Sequence, residues 1–201
     1  MKNINQVHLQ PPPPSFIRRF PKFQQDDGHT QVAISLEVSN ILDINEVKNE
    51  ITMIFRTKLS WRDSRLKFLF LKDLEEKNVI NTQVWVPKLT FRNMKELLIE
   101  EKDGGNLNVR KEGKMTTNDR SELVMAEVFQ GSENTIYLLQ NYQIKFICTF
   151  KDIHLYPFDE EMCYIEIVYG GAAPGLVDLI PGRSAGRSVK QLNISPNILQ
   201  S

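Results

Sequence analysis

Cys148-Thr149-Phe150-Lys151-Asp152-Ile153-His154-Leu155-Tyr156-Pro157-Phe158-Asp159-Glu160-Glu161-Met162-Cys163 contains both cysteines of the 201-residue chain, with fourteen residues between them. Taken alone, the pair admits two free buried thiols of a cytosolic protein or a disulfide closing a short loop. A metal site is disfavoured, because His8, His29 and His154 are the only histidines and form no cluster at ligand spacing. Closed as a disulfide, the loop would contribute roughly 3 kcal/mol in a chain-entropy picture. The Tyr156-Pro157-Phe158 triplet suits a tight turn in which both rings pack. Such a loop projects from the end of a strand pair as a preshaped contact element.

The flanking sequence has a period of two. Upstream, residues 122–129 and 135–150 read as a strand pair around Gly131-Ser132-Glu133-Asn134, with Tyr137 and Leu139, then Ile144, Phe146 and Cys148, on alternating positions. Downstream, residues 164–169 alternate once more. Nearer the N-terminus, Val32, Ile34, Leu36 and Val38, then Ile51, Met53 and Phe55, predict strands over about 31–39 and 49–60. Trp61-Arg62-Asp63 ends the second, and residues 66–69 supply a short strand or turn. Val84-Trp85-Val86-Pro87 reads as a short strand stopped by proline. Residues 97–101 lead into an Asp103-Gly104-Gly105 turn with 107–110 as the returning hairpin partner, and 111–120 form a polar loop. Many short strands with glycine- and asparagine-rich turns, and no helix of more than about two turns, predict an all-β sandwich or barrel.

The first 30 residues, with four prolines at 11–14 and a further Pro21, read as an extended proline-rich leader, and 31–201 as one domain. Beyond Tyr169 the chain loosens around Gly170-Gly171, Pro174-Gly175, Pro181-Gly182 and Gly186. Lysine plus arginine and aspartate plus glutamate number 25 each, a zero net charge that argues against a nucleic-acid partner. No run approaches the roughly 18 apolar residues of a membrane span, and the polar start does not read as a signal peptide, so a soluble, mature chain is expected. No nucleophile, base and orienting group share a recognisable context, and the glycine clusters lack the strand-to-helix setting of a phosphate loop. Neither catalysis nor a cofactor is expected.

The cysteine segment resembles the signature loop of the Cys-loop receptors, a disulfide around a Phe-Pro-Phe-Asp core. Tyr156-Pro157-Phe158-Asp159 matches with tyrosine in the first place, in a loop one residue longer than the animal receptors have. Trp61-Arg62-Asp63-Ser64-Arg65-Leu66 resembles the family's Trp-x-Asp-x-Arg/Lys-Leu motif. The segment from Asp43 to Glu46 sits where the family makes a similar acidic turn. Trp85-Val86-Pro87-Lys88, continuing to Phe91-Arg92-Asn93, resembles the Trp-x-Pro-Asp stretch, with lysine for the aspartate. The resemblance spans about residues 31–170 and implies an immunoglobulin-like β-sandwich, the extracellular ligand-binding domain of a pentameric ligand-gated ion channel. It also implies a Cys148–Cys163 disulfide and a coupling loop at Tyr156, Pro157, Phe158 and Asp159.

The family binds its agonist between two subunits, in a cage of aromatic rings that holds an ammonium group. Aligned by these motifs, the first principal-face position falls at Arg92 and the second at Gly170, with Tyr169 beside it; the complementary aromatic position falls at Arg56. Two arginines repel a quaternary amine and favour a carboxylate, which guanidinium binds in a fork. The bland alternative is that both merely satisfy surface acids. Tyr137 and Tyr142 are further candidates for the cleft. The family's long closing hairpin has no counterpart in 182–189, and Asn193-Ile194-Ser195 is a glycosylation sequon followed by Pro196.

The implied assembly is a homopentamer joined to a transmembrane pore domain, on the extracellular side of the plasma membrane or secreted. Two alternatives stand beside it: a secreted, pore-less pentamer like the soluble acetylcholine-binding relatives, and a ring-forming structural sandwich without a small ligand.

Overall fold

The computed structural model describes residues 5–9, 30–69, 71, 78–80, 84–102, 107–113, 128–150, 163–171 and 174–182. The proline run at 11–14, the coupling-loop residues 156–159 and the sequon at Asn193 lie outside the described residues.

Among the described residues twelve strands carry the fold: β1 Asn5–Leu9, β2 Thr30–Asn45, β3 Glu50–Trp61, β4 Lys67–Leu69, β5 Asn78–Ile80, β6 Leu89–Phe91, β7 Met94–Lys102, β8 Leu107–Arg110, β9 Val128–Gln130, β10 Thr135–Ile147, β11 Ile167–Tyr169 and β12 Val177–Pro181. The long antiparallel β3–β10 ladder is the spine. Its register runs from Ile136 opposite Trp61 to Ile147 opposite Glu50. Residues directly opposite in an antiparallel pair point to the same face. The register therefore places Trp61, Leu59, Phe55, Met53 and Ile51 with Ile136, Leu138, Tyr142, Ile144 and Phe146 on one face, and all ten are buried.

The second layer is the two-stranded β6–β11 ladder. Phe91 closes the sandwich, its ring 5.5 Å from Phe55, 5.1 Å from Tyr142 and 6.1 Å from Phe146. The main sheet runs β12-β2-β3-β10-β8-β5-β1-β4-β9, with β7 also on β10. The chain is thus an all-β, immunoglobulin-like sandwich.

Three local expectations are corrected. Residues 84–88 are not a strand; the ladder begins at Leu89, after Pro87, which has no N–H to donate. Rather than forming a hairpin, β7 and β8 both pair with β10, whose length accommodates β8 at its start and β7 along the remainder. Likewise β9 pairs with β4, not β10. Within the leader, β1 inserts between β5, parallel, and β4, antiparallel. A parallel strand absent from the sequence reading, β12, extends the sheet beyond β2.

Candidate functional site

Of the four candidate ligand positions, Tyr169 lies in the β6–β11 ladder, and Arg92 and Gly170 directly follow its two strands. The ladder's inner side presents Phe91, Ile167 and Tyr169, all buried, so alternation turns Arg92 and Glu166 outward. The Arg92 guanidinium meets the Glu166 carboxylate at 3.0 Å, and the Arg92 N–H donates to the Glu166 carbonyl at 2.9 Å. Arg92, expected from the resemblance at a principal-face position, is paired with a surface acid. Gly170, at the far end of the ladder, donates its N–H to the Lys88 carbonyl at 2.9 Å. Tyr169 lies beneath, tilted against Trp85 at 6.5 Å, with its hydroxyl hydrogen-bonded to the indole; burial pushes its phenol up. A side chain at Gly171 would begin 2.1 Å from that hydroxyl, so glycine there makes room for the ring.

Arg56 sits on the other layer. Phe55 faces inward, so Arg56 leaves the outer face of β3, where its Nε donates to Asn141 Oδ1 at 2.8 Å. Two residues on, Lys58 shares that face, its ammonium 5.1 Å from the centre of the Tyr137 ring. Burial, then the nearby Arg110, lowers the Lys58 ammonium; burial raises the Tyr137 phenol. Among the described residues no carboxylate forms an ion pair with Arg56 or Lys58, although Glu37 stands opposite Arg56 across the β2–β3 ladder. Tyr142 has no place in this patch: it stacks on Phe55 in the core, where burial and the Glu100 carboxylate push its phenol upward.

Phe55 and Phe91 touch across the sandwich while Arg56 and Arg92 project from its two opposite outer surfaces. Packed sheets lie about 10 Å apart, so one chain does not bring the two guanidiniums together. A cleft lined by both requires two copies.

Cys148 and Cys163 form a disulfide with their Cα atoms 5.4 Å apart. The Cys148 N–H donates to the Asn49 carbonyl at 2.9 Å and the Phe150 N–H to Asn49 Oδ1 at 3.4 Å. Asn49 itself occupies the left-handed region at φ 55°, which asparagine tolerates. Lys58, Glu166, Asn49 and Asn93 are absent from the sequence-derived site. The signals were present for Lys58, two residues from Arg56 on one strand face, and for Asn93, which follows Arg92; Glu166 acquires its role only through the ladder.

Among the described residues, no group of three or more His, Cys, Asp or Glu side chains is placed to hold a metal, and no helix is long and apolar enough to cross a membrane. Compared with known protein families, residues 17–171 match the family described as neurotransmitter-gated ion-channel ligand binding domain.

Proposed function

Because the chain belongs to the neurotransmitter-gated ion-channel ligand-binding domain family, a binding module rather than a catalyst, we propose that it binds a small carboxylate-bearing ligand between two copies of itself. Membership places the domain on the extracellular side of the plasma membrane or in a secreted protein, a setting in which disulfides persist.

In this reading a homopentamer presents Arg92 and Gly170 of one copy, with Tyr169 supporting the backbone from beneath, to Arg56 of the next. The observation that carries it is the outer face of β3, where Arg56 is oriented by Asn141 and Lys58 stands beside it, neither in ion-pair contact with a described carboxylate. A carboxylate bound there gains charge-assisted hydrogen bonds that a quaternary amine does not. Joined to a transmembrane pore, ligand closure would bias gating through the coupling loop at residues 156–159, by differential affinity for two states.

A ring-forming sandwich without a small ligand is the second reading, favoured by one observation: Arg92 is already paired with Glu166. Electron microscopy of the oligomer with a panel of amines and amino acids separates the two. A five-fold ring with density between Arg56 and the neighbouring copy's Arg92 supports the ligand reading. An empty cleft at saturating amino acid overturns it in favour of the structural ring, and a monomer overturns both.

A further inference from the structure

Asn93 occupies the turn between β6 and β7, next to Arg92, and touches both stems of the cysteine loop just outside the disulfide. Its carbonyl accepts the Ile147 N–H at 3.0 Å, and its Nδ2 donates to the Ile147 carbonyl at 3.5 Å and to the Tyr164 carbonyl. Its Oδ1 accepts the Glu166 N–H at 3.0 Å. Ile147 precedes Cys148 and Tyr164 follows Cys163, so one planar amide, donor and acceptor at once, spans the loop's neck. Glu166 in turn holds Arg92 by both its carbonyl and its carboxylate.

We propose that Asn93 is a positioning residue: it staples the two stems of the Cys148–Cys163 loop to each other and to Arg92, so that a change in the partner of Arg92 reaches the neck of the loop. The transmission rests on the carboxylate-binding reading above; the staple does not. Arg92 and Glu166 side chains are 49% and 37% exposed, and an ion pair that open is weak enough for a competing anion to displace. Once released, the Glu166 carboxylate no longer fixes β11, and the strand's movement is passed through the Asn93 amide to Tyr164 on one stem and Ile147 on the other.

The test uses the full oxidised chain and two variants. Asn93→Ala removes donor and acceptor, whereas Asn93→Asp keeps the acceptor alone. Hydrogen exchange at the Glu166 amide accelerates about tenfold in Asn93→Ala and stays near the unmodified rate in Asn93→Asp, while reduction of the disulfide by dithiothreitol accelerates in both. Unchanged exchange and reduction in both variants overturns the staple. If Asn93→Ala does not fold, the same split within Asn93→Asp, with Glu166 protected and the disulfide more reducible, decides the matter.

Transmission is read with sodium acetate as the probe. Acetate shifts the nitrogen-15 amide signals of Glu166 and Cys148 in the unmodified chain, and that of Glu166 alone in Asn93→Ala. An equal Cys148 shift in Asn93→Ala overturns transmission through Asn93. No acetate response at Glu166, with both variants behaving as expected, removes the ligand reading and the transmission and leaves the staple standing.

Discussion

Glu50 lies buried at the start of β3, where the Lys95 ammonium of β7 donates to its carboxylate. That hydrogen bond, opposed by burial and reinforced by the charges of Lys95, Lys145 and Lys48, holds the Glu50 carboxyl below the usual carboxylate range. A group depressed in the folded state stabilises fully above its unfolded value, about 4.3, and the gain is lost as pH falls through the lower folded value. The unmodified chain is therefore expected to lose more stability than Glu50→Gln as the pH drops from about 5 to about 3, measured as denaturation midpoints across that window. A larger effect belongs to Asp63, whose carboxylate takes the Arg65 Nε at 2.8 Å and the guanidinium terminus at 2.6 Å. Both side chains are largely covered, so Asp63→Ala strands a cation and is expected to cost about 3–5 kcal/mol by urea titration. The Trp61-Arg62-Asp63 motif marks this turn in the sequence; that Asp63 folds back on Arg65 does not follow from alternation, because it depends on a backbone turn of left-over polar groups.

Among the elements, Phe91 is the ring of β6 that meets three aromatic side chains of the main sheet. Phe91→Ala removes the side chain that meets Phe55, Tyr142 and Phe146 and is expected to cost about 3–5 kcal/mol, with the loss appearing in both thermal and urea midpoints. Turns set a second constraint. A Cβ at Gly131 would lie 2.2 Å from the Asp63 carbonyl oxygen and 2.8 Å from that of Leu66, which already accepts the Gly131 N–H at 2.8 Å. Backbone atoms on both sides leave little room to yield. Gly131→Ala is accordingly expected to cost about 2 kcal/mol or more, whereas Gly175→Ala, whose Cβ meets nothing within 4 Å, stays within about 0.5 kcal/mol on the same calorimetric comparison. Edges left unpaired among the described residues follow a different rule. The lower half of β2 and the outer side of β7 are exposed and apolar, with Ile41, Ile44, Leu97 and Ile99 in view, and both ladders are broken by register shifts. Irregularities of that kind bend an edge away from regular pairing with a stray strand.

For the whole molecule, the disulfide is one closure among several, because the β3–β10 ladder and the Asn49 contacts hold the start of the loop independently. Replacing Cys148 and Cys163 together by serine is expected to lower stability by about 2–4 kcal/mol while leaving the far-ultraviolet circular dichroism of the sheet unchanged. By itself the sequence determined the sandwich class, the inward sets Val32, Ile34 and Leu36 on β2 and Ile51, Met53 and Phe55 on β3, and the ordered motifs of the receptor family, since side-chain alternation and turn chemistry are local properties of a strand. On β10 it found Ile144 and Phe146 but set Tyr137 and Leu139 with them, whereas the buried face there is that of Ile136 and Leu138, and Val38 of β2 is exposed. It also placed Arg56 and Arg92 at the candidate positions. Only the tertiary structure decided what surrounds them: Arg92 meets Glu166 from 74 residues away, Arg56 meets Asn141 from 85, and Tyr169 turns into the core beside Trp85. The same holds for β7 and β8 sharing β10, and for β9 choosing β4. Strand pairing between distant segments is settled by which faces are buried together and which backbone groups remain to be satisfied, quantities that exist only once the sheets have closed on one another.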